Sequence, residues 1–455
     1  MPASRLPPEL LLEIARKLFA IADTSSLKTL SLVSSEWLSV ARPFIFRDLR
    51  VQLGGMKSLD ALTAIVRPSP ALSSLISTLC LVGDINGRES SDPQTRYLYP
   101  FVSPLDILAL VAMIPRISSI SVQLCRVEGG MIESNLRRFQ GVYNCSLFLF
   151  QVSIDDIALD MLTGSFRGEA LSLTKLHFLS PNNQPLNFLS SGNHTSDGSS
   201  IFSSLRHLCV GLSTNFRGRI PIILAIKSKS LPELQMLELA CDLAHNRHLH
   251  TMNGFLNDKG RPVEVLLLDY TITMGWGDYI SDYLVDEVNP PSYDGFGLIP
   301  ESWGTVSLKE CCPSLRSITF FLSVLMESES YGATEKSPAV LQWNYALRLI
   351  ASAPLTLSSI KIGIYLDEDT SAEDMMGCTI SVVEWENWDN VLRQLLGLRE
   401  VVFFRVDQAK RRRELHLGME GLGHIPEKFA RDMSEWIKER MAVERVVLLR
   451  YVVED

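Results

Sequence analysis

The residues best suited to chemistry lie in one short stretch, Cys241-Asp242 followed by His245, His248 and His250. Thiolate, carboxylate and imidazole groups are the side chains that bind zinc in proteins. Their spacing matches no established zinc-ligand pattern, and the stretch follows a strand-like run, where a polar turn is expected in any case. We therefore predict neither a metal site nor a cofactor, and a zinc site is the alternative.

Two charged runs also invite a functional interpretation. The acidic residues 367–374 could coordinate calcium, but no glycine-centred loop of the EF-hand type fits them, so a solvated acidic loop is preferred. The basic run Lys410–Arg413 could be a nuclear-import signal or an ordinary solvated loop. Neither run is assigned a site.

The sequence contains no motif of a known active site. The sequence contains no G-x-S-x-G elbow, no G-x-x-x-x-G-K-[ST] loop, no G-x-G-x-x-G after a strand and no H-E-x-x-H. We therefore predict a protein that is not an enzyme and has no catalytic residue. An enzyme whose active site is assembled from distant loops is the weaker alternative, since sequence alone cannot bring such residues together.

Composition limits the class of protein further. The 455 residues are 46% hydrophobic and 21% charged, as in ordinary globular proteins. A net charge of −9 argues against a nucleic-acid partner. No stretch approaches the ~18–20 apolar residues of a membrane helix, and no secretory signal is visible. The eight cysteines form no C-x-x-C pair, which is typical of a reducing compartment, so we expect the cytoplasm, the nucleus or both.

The N-terminal segment, residues 6–49, has apolar residues at helical spacing. This spacing predicts three short amphipathic helices. Pro7 and Pro8 suit the start of the first helix, and Asp23 provides a cap for the second. Three such helices carry more apolar surface than about forty residues can bury, so the surplus must face the rest of the chain or a partner.

This segment resembles an F-box, the module that docks a substrate receptor onto the Skp-type adaptor of a cullin–RING ubiquitin ligase. The residues that carry the resemblance are Leu6, Pro7, Glu9, Leu10, Ile14, Leu18, Leu27, Leu30, Val33 and Trp37. The stretch that follows, residues 41–50, is similar to F-box proteins of mushroom-forming fungi. The resemblance implies that these ten residues form the adaptor-binding site. An ordinary helical cap on a larger domain is the alternative.

After this segment a pattern of apolar-x-x-apolar-x-apolar recurs, which is the centre of a leucine-rich repeat. We call each copy a motif triplet. The triplets begin at Ile76, Ile117, Leu173, Leu205, Leu234, Val263, Leu315, Leu357, Leu398 and Val443, and a weaker copy is Leu147, Phe150 and Val152. Helical patterns lie between them. The alternation predicts parallel strands joined by helices.

The predicted fold is therefore α/β, with two domains. Residues 1–50 form a short all-helical F-box, and residues 51–455 form an irregular leucine-rich-repeat solenoid with a curved parallel sheet and helices on its convex side. Loop insertions are expected near residues 182–200 and 271–303. The second insertion mixes aromatic and acidic residues and is either a binding loop or a plain packed insertion.

The combination predicts the substrate-recognition subunit of a Skp–cullin–F-box ubiquitin ligase. Its partners would be the Skp-type adaptor, the cullin–RING ligase reached through it, and a protein substrate held on the repeats; no membrane partner is expected. The residues Phe321, Val402 and Phe404, on the open face of the sheet, are predicted either to contact the substrate or to be covered by the chain itself. The alternative function is a leucine-rich-repeat interaction scaffold without ubiquitin chemistry.

Overall fold

The computed structural model describes residues 6–21, 23–54, 56–83, 99–129, 142–174, 176–178, 201–211, 230–240, 246–270, 306–323, 338–365, 385–406 and 422–423. The chain divides into two compact units, one of residues 1–169 with 176–182 and the other of residues 170–175 with 183–455. Each unit is built on a parallel β-sheet with helices between its strands. The α/β class predicted from the sequence is therefore confirmed.

The first unit begins with three helices, α1 (Pro8–Ala20), α2 (Thr24–Ser31) and α3 (Ser35–Arg47). Pro8 opens α1, where the missing backbone N–H would have no helical partner. Asp23 accepts a hydrogen bond of 3.0 Å from the backbone nitrogen of Ser26 at the start of α2. Ser34 accepts one of 3.2 Å from the backbone nitrogen of Trp37 at the start of α3. The helix starts are thus fixed by local capping residues.

The first unit contains two parallel sheets. The strands are β1 (Asp48–Leu53), β2 (Thr78–Gly83), β3 (Phe101–Val102), β4 (Ser119–Gln123), β5 (Arg126–Val127), β6 (Ser146–Phe150), β7 (Ser153–Ile154) and β9 (His177–Phe178). The main sheet has the order β1-β2-β4-β6, and the small one β3-β5-β7-β9. Helices α4 (Met56–Val66), α5 (Pro70–Ser73), α6 (Pro104–Ala112) and α7 (Asp156–Ser165) lie between strands along the chain. The predicted domain boundary at residue 50 falls within β1.

The small sheet begins at a repeated corner of the backbone. Leu124, just after β4, and Gln151, just after β6, both have a positive φ, 53° and 52°. This conformation is uncommon for residues other than glycine, and it turns the chain at the same point of two successive repeats. The next residues, Cys125 and Val152, are fully buried. The motif triplets did not predict this corner or the second sheet.

Strand pairing tests the register of the motif triplets. Leu79 pairs with Ile120, so the triplets that begin at Ile76 and Ile117 are in the predicted register. Ile120 also pairs with Leu147, which therefore occupies the second position of its repeat. The prediction that placed Leu147 in the first position is wrong by three residues.

The triplet predicted at Leu173 is also out of register. Leu208 pairs with Leu171, and Val210 pairs with Leu173. Leu173 is therefore the third apolar position of its repeat, whereas the prediction made it the first. The two residues assigned after it, Leu176 and Phe178, lie beyond the strand that contains Leu173, which is β8 (Ala170–Thr174) of the second unit.

The second unit has a longer sheet. Its strands are β8 (Ala170–Thr174), β10 (His207–Val210), β11 (Met236–Ala240), β12 (Val265–Asp269), β13 (Ser317–Ser323), β14 (Ser359–Tyr365), β15 (Glu400–Val406) and β16 (Leu422–Gly423), and its α-helices are α8 (Asn246–Lys259), α9 (Leu308–Cys311), α10 (Pro338–Ala351) and α11 (Trp385–Gln394). The strands pair in that order, and all are parallel except β16, which is antiparallel to β15.

The core of the second unit follows the motif triplets. Leu237, Leu239, Leu266 and Leu268 are fully buried, because alternate residues of a strand point to the same face. Their pairing across β11 and β12 confirms the predicted register of the evenly spaced central triplets. Fully buried side chains of β13 and β14 continue the same layer.

Helix α10 holds the aromatic part of this core. The ring of Trp343 lies 5.5 Å from that of Trp388 on α11, in an edge-on arrangement. Tyr345 packs edge-on against Tyr270, 5.6 Å away, and donates a hydrogen bond of 3.2 Å to the side chain of Asn253 on α8. These contacts join three helices to the end of β12.

Several predicted features lie outside the described residues. They are the insertions near 182–200 and 271–303, the acidic residues 367–374, the basic run Lys410–Arg413 and the motif triplet at Val443. Within the described part of the chain, no helix has the length and apolar character needed to cross a membrane.

Candidate docking surface on the N-terminal helices

The three N-terminal helices have a core of their own. Ala15, Leu27 and Ala41, one residue from each helix, are fully buried. Leu18, Phe19, Val40, Phe44 and Ile45 are partly buried against them. Two of the three central residues are alanines, whose small side chains leave little apolar surface to bury. Most of the apolar volume of this core therefore comes from the partly buried residues that pack around the three central ones.

Aromatic contacts tie the first helix to the third. The rings of Phe19 on α1 and Phe44 on α3 lie 5.6 Å apart. The guanidinium of Arg47, at the end of α3, lies over the ring of Phe19, 5.2 Å from its centre. Such a cation–π contact contributes about 0.5–1 kcal/mol at an exposed site. The two contacts fix α1 beside the last turn of α3.

Most of the predicted adaptor-binding residues at the start of the segment are exposed. Leu10 is 51% exposed, Ile14 38% and Leu6 48%. Pro7 and Glu9 are exposed as well, and Val33, after α2, is 65% exposed. Large apolar side chains left in water on so small a bundle are typical of an interaction surface.

The other predicted adaptor-binding residues are less accessible. Leu18, Leu30 and Trp37 are half-buried, and Leu27 is fully buried in the core of the bundle. Leu27 therefore stabilises the helices and has no surface to offer a partner. The ten residues that carry the resemblance thus divide into exposed residues and residues that hold the helices together.

The structure adds exposed apolar residues that the resemblance did not single out. Leu32 is 87% exposed, and Ile21 and Leu38 are also exposed. Ile21 follows Ile14 by seven residues, which is about two helical turns, so the helical period is the signal that could have identified it. Leu32 and Leu38 lie off the predicted stripes, and only their exposure identifies them.

The charge at the start of α2 is set by local hydrogen bonds. Asp23 accepts hydrogen bonds from the backbone of Ser26 and from the hydroxyl of Ser25, at 3.0 and 2.8 Å. The bonds from Ser26, followed by those from Ser25, lower the pKa of Asp23, because they favour the ionised carboxylate. Asp23 therefore anchors α2 as an anion.

The helices continue directly into the sheet of the same unit. Helix α3 ends at Arg47 and β1 begins at the next residue, Asp48. The backbone nitrogen of Ser77 donates a hydrogen bond of 2.9 Å to the carbonyl of Arg47, one residue before the pairing of β1 with β2 begins. The exposed surface of the helices is therefore carried on a continuous backbone rather than on a separate linker.

The residues predicted to contact a substrate lie on the sheet of the second unit. Phe321 is buried with Leu267 in a small cluster against which Met236 and Val265 pack, and Val402 is also buried. Phe404 pairs with Gly363 across β14 and β15, and its side chain lies outside the described residues. The burial of Phe321 and Val402 favours the alternative that the chain covers this face itself, and a substrate contact there stays a prediction.

The stretch whose residue types could bind zinc lies largely outside the described residues. Cys241, Asp242 and His245 lie outside the described residues, as do the side chains of His248 and His250. Among the residues that the structure does describe, no group of three or more His, Cys, Asp or Glu side chains is placed to hold a metal ion.

Comparison with protein-family models and with curated proteins assigns no family to this chain. The sequence matches no protein-family model, and no curated protein is significantly similar to it.

Proposed function

We propose that this protein is the substrate receptor of a Skp–cullin–F-box ubiquitin ligase and that its N-terminal helices dock the Skp-type adaptor. The observation that carries the proposal is the exposure of Leu10, Ile14 and Val33 on a bundle whose own core is already formed. These are positions that the F-box resemblance assigns to the adaptor. Exposed apolar anchors of this kind become buried when a partner binds.

The repeats would hold a protein substrate. We interpret the parallel strands and their motif triplets as an irregular leucine-rich-repeat solenoid with helices on the convex side. The in-register pairing of β10, β11 and β12, at the evenly spaced triplets, supports this interpretation. The protein itself would catalyse no covalent step of ubiquitin transfer. It would act by tethering, which raises the effective concentration of substrate lysines near the conjugating enzyme.

The test is adaptor binding by calorimetry with a double variant, Leu10→Ala with Ile14→Ala. Truncating a hydrophobic anchor in a desolvated interface costs about 1–4 kcal/mol. Two such changes should together weaken adaptor binding by about thirtyfold or more, at about 1.4 kcal/mol per tenfold. Circular dichroism should show an unchanged fold, because both side chains are exposed.

A matched control is Ile65→Ala, which removes a 58% exposed aliphatic side chain from α4 of the same unit. It should bind the adaptor as well as the parent protein. If the double variant also binds like the parent, the docking surface lies elsewhere. If the unmodified protein binds no adaptor, the ubiquitin-ligase proposal fails and an interaction scaffold without ubiquitin chemistry takes its place.

A further inference from the structure

Two adjacent cysteines of the second unit bring their sulfur atoms together. The Sγ atoms of Cys311 and Cys312 lie 3.6 Å apart, and both residues are free thiols. They are separate from the N-terminal helices on which the proposed function rests. Neither side chain belongs to the regular alternation of a strand, because Cys311 ends α9 and Cys312 follows it.

The pair is buried, and it is flanked along the chain by exposed residues. Both cysteines are buried, but the residues on either side, Glu310 and Pro313, are exposed. On the inner side the backbone of Gly260, just after α8, lies so close that a Cβ atom there would be 2.6 Å from the sulfur of Cys312. Cys312 is therefore packed against the backbone at the end of α8, and the pair lies next to exposed residues of its own turn.

The two thiols are not equivalent. The hydrogen bond between them lowers the pKa of Cys311, because a thiol donor stabilises the neighbouring thiolate, and it raises the pKa of Cys312. The thiolate is the nucleophilic form of cysteine. The distance of 3.6 Å between the two sulfurs places both thiols within reach of one thiol-seeking atom.

A direct disulfide does not suit this geometry. Adjacent Cα atoms are ~3.8 Å apart across a trans peptide. Ordinary disulfides span ~4.4–6.8 Å between Cα atoms and have an S–S bond of ~2.05 Å. The sulfurs would have to approach from 3.6 Å and strain the turn. An atom bound between them needs no such movement, since two sulfurs 3.6 Å apart and each ~2.3 Å from one bridging atom make an angle of about 103° at that atom, which suits a pyramidal three-coordinate centre.

We infer that Cys311 and Cys312 form a chelating site for trivalent arsenicals, which are soft, thiol-seeking reagents. An organic arsenoxide, R–As=O, reacts with the two thiols to form two As–S bonds. The arsenic–oxygen bond breaks, and both thiol protons leave with the oxygen as water. Arsenic stays trivalent and no electron is transferred. The fixed spacing of the sulfurs supplies the preorganisation that favours a chelate over two separate adducts.

The test uses phenylarsine oxide and the full-length native protein. We expect one bound arsenical that survives excess glutathione, a monothiol, and is released by 2,3-dimercaptopropanol, a competing dithiol. Mass spectrometry after trypsin should place it on the peptide Glu310–Arg316, which contains both cysteines and lies between the cleavage sites after Lys309 and Arg316. Cys311→Ser and Cys312→Ser should each lose the glutathione-resistant adduct.

Cys145→Ser is the matched control, because Cys145 is a buried free cysteine of the other unit, and it should keep the adduct. Circular dichroism checks the fold of each variant, and Cys312→Ala replaces Cys312→Ser if the serine unfolds the protein. A glutathione-resistant adduct that persists in either single variant overturns the inference, as does native protein that forms none on this peptide. Neither result depends on adaptor binding.

Discussion

The backbone nitrogen of Ser146 lies so close to Gly168 that a Cβ atom on Gly168 would be 2.2 Å from it. The backbone nitrogen of Gly168 also donates a hydrogen bond of 3.0 Å to the carbonyl of Cys145. Because the crowding atoms belong to the backbone at the start of β6, they cannot move aside as a flexible side chain would. The close contact therefore requires glycine at position 168.

Gly168→Ala should destabilise the first unit by about 1–3 kcal/mol, the usual cost of overpacking. The measurement is the urea midpoint of unfolding. Gly164→Ala is the control, since no atom lies within 4 Å of a Cβ at Gly164 in α7. Removing a glycine from a helix should instead be neutral or stabilise by up to about 1 kcal/mol. Equal midpoints for the two variants would contradict the contact.

Leu237→Ala should destabilise the second unit by about 2–5 kcal/mol, because Leu237 is fully buried in β11 and its truncation leaves a cavity. Leu355→Ala, at a residue that is 70% exposed, should change the free energy of unfolding by no more than about 0.5 kcal/mol. Denaturant titration of both variants checks the pair. An unchanged midpoint for Leu237→Ala would mean that the register of β11 is wrong.

Asp155 joins two repeats through one carboxylate. It accepts hydrogen bonds from the backbone nitrogens of Ala158, at 2.6 Å, and Gly129, at 2.7 Å. Asp155→Ala removes the helix cap and leaves both donors unpaired, so we expect a loss of about 1–3 kcal/mol. Asp155→Ser should recover part of the loss by capping Ala158 alone. Thermal unfolding of the three proteins would show that order, and equal stability of the alanine and serine variants would argue against the cap.

The cap at Asp23 should make the N-terminal helices sensitive to acid. Its pKa is lowered in the folded protein, so its contribution is present above the ordinary aspartate pKa of ~3.9 and is lost as the pH falls through the lower folded value. The stability difference between the parent protein and Asp23→Ala should therefore be largest near neutral pH and shrink in acid. Melting curves of the pair across this range provide the measurement. A difference that stays constant with pH would show that the charge of Asp23 contributes nothing.

The sequence by itself determined much of the second unit. The triplets at Leu205, Leu234 and Val263 predicted three neighbouring parallel strands, and the structure pairs them in that register. The pattern succeeds there because the second and third apolar positions of each triplet are fully buried on one face of the strand.

The same pattern misplaced the triplet at Leu173 for a physical reason. A full repeat carries five apolar positions, as in Ile117, Ile120, Val122, Cys125 and Val127, so the spacing of three then two occurs twice, five residues apart. In the repeat that contains β8, the first position is Gly168, which has no apolar side chain. Only the second occurrence of the spacing can therefore be recognised in that repeat. It runs from Leu173 to Phe178 in the small sheet, and strand pairing alone reveals the true register.

On the N-terminal helices the sequence determined the helices and their starts, through Pro8, Asp23 and Ser34. It did not determine which apolar residues face inward, because α1 is apolar on several sides. The tertiary structure buries Ala15 and leaves Leu10 and Ile14 in water. That choice depends on how closely α2 and α3 approach, which the small side chains of Ala15 and Ala41 allow and which no spacing within a single helix can specify.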